Sequence, residues 1–222
     1  MSADLQPGGP VEADADDATR PHGPRRIHAQ LTRHVVGELV RADAHRVLEL
    51  GCGDGWFAGA LDRCGYELTG VDTSGALLSA ARRRYPHLRF EQGDATQRPA
   101  AAHAGVFDAV VAIDLLDHVT SPRQLVAHAM AALRPGGVLI LSASFHGYAK
   151  NLALALGGRF DARWEPLTDD GRLKFFSRGT LTALLSEFEL RELRMRTVGR
   201  VPMFARAMLV SARLPARALP SR

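Results

Sequence analysis

The chain has 222 residues, 46% of them hydrophobic, with 28 basic against 24 acidic side chains and a formal net charge of +4. That size and apolar content support one domain with a substantial core, and no run approaches the ~20 uninterrupted apolar residues of a membrane-spanning helix. The two cysteines, Cys52 and Cys64, are too few for a disulfide framework or a four-cysteine metal site; both are expected as reduced thiols in a cytoplasmic protein. The basic charge is almost wholly arginine, since Lys150 and Lys174 are the only lysines. Neither aromatic interleaving nor a recognition motif accompanies it, so nucleic acid is not expected as a partner.

Residues 1–24 are rich in Pro, Gly, Ala and Asp and are expected to form a disordered tail. They show no basic segment followed by an apolar one, so they are not read as a secretory leader. Ile27, Leu31, Val35 and Leu39 then recur at helical spacing between Ile27 and Val40. Val47-Leu48-Glu49-Leu50 reads as a short strand that breaks into Gly51-Cys52-Gly53-Asp54-Gly55. Glycine has no Cβ and tolerates positive φ, so such a turn lets backbone approach a ligand closely. A helix is predicted from Trp56 to Arg63; a dinucleotide fingerprint would need a glycine where Trp56 stands. Glu67–Asp72 is a second strand ending in a carboxylate, close to the ~20-residue separation at which an acid meets ribose hydroxyls. Ser74 is a predicted cap for a helix through Arg84, and Leu88–Asp94 reads as a third strand with a terminal acid.

Phe107–Ile113 is an apolar run suited to a parallel strand buried on both faces. Ser121-Pro122 starts a helix running to about Leu133. Arg134-Pro135-Gly136-Gly137 is expected to stop it and turn into a fifth strand, Val138–Ser142. The alternation argues for a parallel sheet with a ligand over its carboxyl ends. Residues 144–176 break the pattern: a short helix, Asn151–Leu156, ends at Gly157-Gly158, and a polar loop follows through Asp169-Asp170-Gly171. Ser177 caps a helix, Thr180–Phe188, before two last strands near Leu190–Thr197 and Phe204–Val210.

Glu49 before Gly-x-Gly-x-Gly, the Asp-x-Ser-x-x-x-Leu pattern of Asp72 to Leu78, the terminal Asp94, and Leu-Arg-Pro-Gly-Gly at Leu133–Gly137 together resemble the class I S-adenosylmethionine (SAM) dependent methyltransferases. The resemblance covers roughly residues 27–213. It implies an α/β Rossmann-like domain, residues 25–215, with helices on both faces of a seven-stranded, mostly parallel sheet of order 3-2-1-4-5-7-6. It implies SAM as cofactor, held by Glu49, Gly51, Cys52, Gly53 and Gly55, by Asp72 and Thr73 at the ribose, by Asp94 and Ala95 at the adenine, and by Asp114 at the methionine end. The insertion at 144–176 is the natural lid and acceptor pocket, with His146, Tyr148, Lys150, Asn151, Trp164 and Lys174 as candidate contacts to a small-molecule acceptor.

A sulfonium methyl is already activated, so alignment is the main task, with a general base where the acceptor is a hydroxyl or amine. His118 is the first candidate base, because Leu116-Asp117-His118-Val119 resembles a segment of small-molecule O-methyltransferases; His146 and Tyr148, after the fifth strand, are second. Asp114, Asp117 and His118 would converge on one cation only if their segment were helical. The quinone-biosynthetic relatives carry Glu-x-x-Glu-His at the corresponding place, and both glutamates are the shorter aspartate here, so no metal is assigned. Two readings stand: methyl transfer to an O or N atom of a small acceptor, and a SAM-using cyclase or lyase that acts on the aminobutyrate chain and releases methylthioadenosine.

Overall fold

The structure, a computed structural model, describes residues 26–98, 100–158, 173–199 and 205–216. The expected N-terminal tail and Trp164 lie outside the described residues. Seven strands form one sheet: β1 (Arg46–Leu50), β2 (Glu67–Asp72), β3 (Arg89–Gln92), β4 (Phe107–Ala112), β5 (Leu133–Ser144), β6 (Arg191–Val198) and β7 (Ala207–Arg213). Their order is β3-β2-β1-β4-β5-β7-β6, as expected, with β1 to β5 parallel and β7 antiparallel to both β5 and β6.

Successive side chains of a strand point to opposite faces, and the apolar pattern divides accordingly. Val47, Ala109, Val111, Val138 and Ile140 pack with α1 (Arg26–Ala42), α2 (Trp56–Asp62) and α3 (Gly75–Arg84). Leu48, Leu50, Val110, Ala112, Leu139 and Leu141 pack against α4 (Pro122–Ala132) and the helix Arg178–Ser186. A further helix, α5 (Tyr148–Leu156), lies in the insertion, so Arg178–Ser186 is α6. Among the described residues no helix is long and apolar enough to cross a membrane. The predicted caps form: Ser74 Oγ accepts from Leu77 N–H, Ser121 Oγ from Gln124 N–H, and Ser177 makes a reciprocal capping box with Thr180.

Two expectations need correction. The fifth strand is longer than expected, Leu133–Ser144: Leu133 already pairs with Phe107, and Arg134–Gly137 bulge out of the ladder before Val138 pairs with Ala109. The glycines allow this bulge, because Gly136 takes the left-handed φ of 82° and a Cβ on Gly137 would stand 2.9 Å from the carbonyl oxygen of Arg134. The third strand ends at Gln92, so Asp94 lies in the turn beyond it.

Asp108 knots the amino ends of the central strands. Its carboxylate accepts the N–H groups of His45 and Arg46 at 2.9 and 2.7 Å and the Arg134 guanidinium at 2.5 Å. Burial works against ionisation here, but these hydrogen bonds and the Arg134 charge prevail and hold the carboxyl below the usual aspartate range. A depressed carboxylate contributes stability above its unfolded pKa, and that contribution is lost as pH falls through the folded value. Asp108→Ala is therefore expected to lower stability by about 1–2 kcal/mol at neutral pH, with the difference shrinking in acid. Thermal melts of both proteins across that range check it.

Candidate active site

The glycine loop joins β1 to α2, and its three glycines all take the left-handed conformation, with φ of 73°, 53° and 76° at Gly51, Gly53 and Gly55. Two of them are required by the fold. A Cβ on Gly51 would meet Leu115, and one on Gly55 would meet Phe90, each at 2.9 Å. Gly53 differs, because a Cβ there meets nothing within 4 Å, so the loop presents bare backbone to open space at its middle residue. Gly51 and Cys52 donate their N–H groups to the carbonyl of Val71, which fixes the loop against the end of β2. The Cys52 thiol is buried inside the turn, and burial followed by the nearby Glu49 carboxyl pushes its pKa far up, so it is an inert packing group. Neither cysteine is in a disulfide.

Glu49 and Asp72 flank this loop, and Asp94 lies beyond the end of β3. Asp72 accepts Gly53 N–H on Oδ2 at 2.8 Å and Ser74 N–H on Oδ1 at 2.9 Å, which ties the loop to the start of α3. An ionised carboxylate offers about four acceptor positions, so two remain for a ligand. Glu49 is 3% exposed and its Oε2 has no hydrogen-bond partner. Burial, then the charges of Asp72 and Asp54, raise its pKa well above the ordinary glutamate value, which favours the neutral carboxyl beside the loop. Asp94 is exposed past β3 and accepts the N–H and hydroxyl of Thr96, each at 2.7 Å. Those bonds, with Gln97 behind them, lower its pKa and keep it ionised. Thr73 is exposed at the same edge, and Ala95 packs beside the core. The bare backbone at Gly53, the unmatched Glu49 oxygen and the spare acceptors of Asp72 suit a ligand that carries cations and hydroxyls.

The turn after β4 is not helical, so the convergence of Asp114, Asp117 and His118 that a metal reading requires does not form. Among the described residues no group of three or more His, Cys, Asp or Glu side chains is placed to hold a metal ion. Asp114 has φ 54°, with its N–H donated to Ser142 Oγ at 2.8 Å and its Oδ1 accepting that hydroxyl at 3.1 Å. Asp117 is 1% exposed and accepts Ser144 N–H at 2.8 Å, while the next residue, His118, is exposed. Sequence reasoning missed the supports Ser142 and Ser144, whose hydroxyl-bearing residues in an otherwise apolar strand were the available signal.

The insertion residues separate into distinct environments. His146 is buried and packs edge-on against Phe175, with ring centroids 5.0 Å apart. Tyr148 is instead 84% exposed at the first residue of α5, which starts earlier than predicted. Lys150 bonds the carbonyls of Phe145 and Ala205 at 2.8 and 3.1 Å, which ties it to the framework. Asn151 is half-buried, with Oδ1 lacking a hydrogen-bond partner, and Lys174 is half-buried in the segment returning to the sheet.

A doubly faced α/β sheet in this strand order, with a glycine loop and acids at its carboxyl ends, defines the class I SAM-dependent methyltransferase architecture. The chain belongs to the methyltransferase domain family, which it matches over residues 20–193. It is 33% identical over 137 residues to a ubiquinone biosynthesis O-methyltransferase of Aromatoleum aromaticum, an alignment spanning 59% of this chain and 57% of that protein. A ubiquinone biosynthesis O-methyltransferase of Xanthomonas campestris is 28% identical over 178 residues, 79% of this chain and 74% of the relative. In fold, the chain resembles the magnesium protoporphyrin IX methyltransferase of Synechocystis PCC 6803, solved with bound S-adenosylhomocysteine (SAH), with a TM-score of 0.65 and 20% identity over 85% of this chain and 84% of that one. SAM is the cofactor of this family.

Proposed function

We propose that this protein transfers the methyl group of SAM to an oxygen atom of a small-molecule acceptor. The observation that carries the reading is the glycine loop, open at Gly53 and flanked by Glu49 and Asp72. The O-methyltransferase relatives support oxygen over nitrogen as the acceptor atom, and the family membership favours methyl transfer over the cyclase or lyase reading. Glu49 and Gly51 to Gly55 would hold the methionine portion together with Asp114; Asp72 and Thr73 the ribose; Asp94 and Ala95 the adenine. Bound SAM supplies a methyl group on a positive sulfur. The protein then has to align the acceptor oxygen with it, exclude water and take the acceptor proton. His118, exposed directly after the buried Asp117, is the proposed base, and the insertion beyond Ser144 the proposed acceptor pocket. Incubation with SAM bearing a labelled methyl group and a set of phenols, catechols and aromatic amines tests this: the label should appear as an O-methyl group in the product. Label on nitrogen or carbon would overturn the oxygen assignment.

Glu49 supplies a second test. Burial raises its pKa in the free protein and so favours the neutral carboxyl, whereas a bound cation favours the ionised form. Cofactor binding should therefore release a proton, and SAM affinity should rise with pH until Glu49 ionises without ligand. Calorimetry in two buffers of different ionisation enthalpy measures that proton directly. Glu49→Gln should abolish the release while keeping the fold.

A further inference from the structure

We propose that Asp117 is a positioning residue, a latch that fixes the returning end of the insertion onto the carboxyl ends of β4 and β5; its bearing on catalysis rests on the reading of that insertion as the acceptor pocket. Both of its polar ends are used. The side-chain Oδ2 accepts Ser144 N–H at 2.8 Å, at the last residue of β5. Its backbone carbonyl accepts two N–H groups, from Leu173 at 2.8 Å and Lys174 at 3.0 Å, where the insertion comes back. Three residues on, Phe176 pairs with Phe145 as an isolated parallel bridge, and its carbonyl accepts His146 N–H at 3.4 Å. The ring of Phe175 stands edge-on to His146, and Phe176 is buried in the core.

The result is a short strap, Leu173–Phe176, bonded at one end to Asp117 and at the other to the start of the insertion. His118 and His146, the two candidate histidines, are the neighbours of these anchor points. A carboxyl 1% exposed is costly to bury, and an apolar side chain would fill the same space. What the carboxyl adds is a directional acceptor that sets the turn against β5, and so sets where the carbonyl of Asp117 meets the strap. Phe176 anchors the far end of the strap in the core, whereas Leu173 is 53% exposed, so the near end is held by these hydrogen bonds more than by packing.

Hydrogen exchange followed residue by residue tests the latch. In Asp117→Ala the amides of Leu173 and Lys174 should exchange at least about tenfold faster, the loss of one to two net hydrogen bonds. SAH affinity by calorimetry should stay near wild type, and Asp117→Asn, which keeps an acceptor oxygen for Ser144 N–H, should restore slow exchange. If Asp117→Ala does not fold, Lys174→Pro removes one strap donor without touching the core and should loosen Leu173 and Phe176 in the same way. Wild-type exchange at these amides in either folded variant would overturn the latch. So would a uniform rise across the sheet with SAH affinity lost, since that marks a packing role. A rise confined to the strap, with unchanged KM for catechol and for SAM, would leave the latch standing and overturn the acceptor-pocket reading. A raised KM for catechol alone supports both.

Discussion

His118→Gln is expected to lower turnover by ~10²–10⁴ while SAM affinity stays at the wild-type level, the usual contribution of a general base. His118 ends the turn after β4, its N–H held by the carbonyl of Leu115 at 2.9 Å, and it is exposed where Asp117 beside it is buried. Its side chain is exposed on a turn fixed by backbone bonds, so the substitution should leave the fold intact. The competing candidates give contrasting expectations. Tyr148→Phe should leave turnover near wild type, because that ring is 84% exposed at the start of α5. His146→Gln should perturb the contact with Phe175 and raise the KM of the acceptor more than it lowers kcat. Near-normal turnover in His118→Gln would remove it as the base, and an equal fall in SAM binding would make it a support of the cofactor pocket.

Asp72→Ala is expected to weaken SAM binding roughly five- to more than a hundredfold, from ~1–3 kcal/mol for hydroxyls left without an acceptor. The same substitution frees the N–H groups of Gly53 and Ser74, so the loop loosens and the melting temperature falls as well. Asp72→Asn separates the two effects. One amide oxygen can still accept from the loop, but the charge-assisted bonds to the ribose are lost. It should therefore retain most of the stability and little of the affinity. Calorimetric titration with SAM, alongside thermal melts, resolves them; unchanged affinity in Asp72→Ala would contradict the cofactor placement.

The fold was legible because its signals are local. Ser74, Ser121 and Ser177 announce helix starts, and the apolar run Phe107–Ile113 announces a strand buried on both faces. The strand order and the closing antiparallel hairpin came from the family resemblance, since pairing between distant strands is not encoded in any short window. The bounds of β5 were less legible: Leu133 pairs with Phe107 ahead of the Arg134–Gly137 bulge, and pairing with a distant strand leaves no mark on the local sequence. The insertion was the least legible part. Position after the fifth strand suggested Lys150 and Tyr148 as acceptor contacts, but no local signal showed that Lys150 bonds two framework carbonyls or that Tyr148 is exposed. Asp117 showed the reverse: a residue that reads as a metal candidate is buried at the junction of three segments.

The most direct measurement is the fate of SAM in the presence and absence of an acceptor. Purified protein is incubated with SAM alone and with SAM plus phenols and catechols, and the nucleoside products are separated by chromatography and weighed by mass spectrometry. SAH that forms only when an acceptor is present, in step with a product heavier by one methylene unit, is the predicted result. Methylthioadenosine accumulating from SAM alone would contradict methyl transfer and make the protein a lyase or cyclase built on the same cofactor fold.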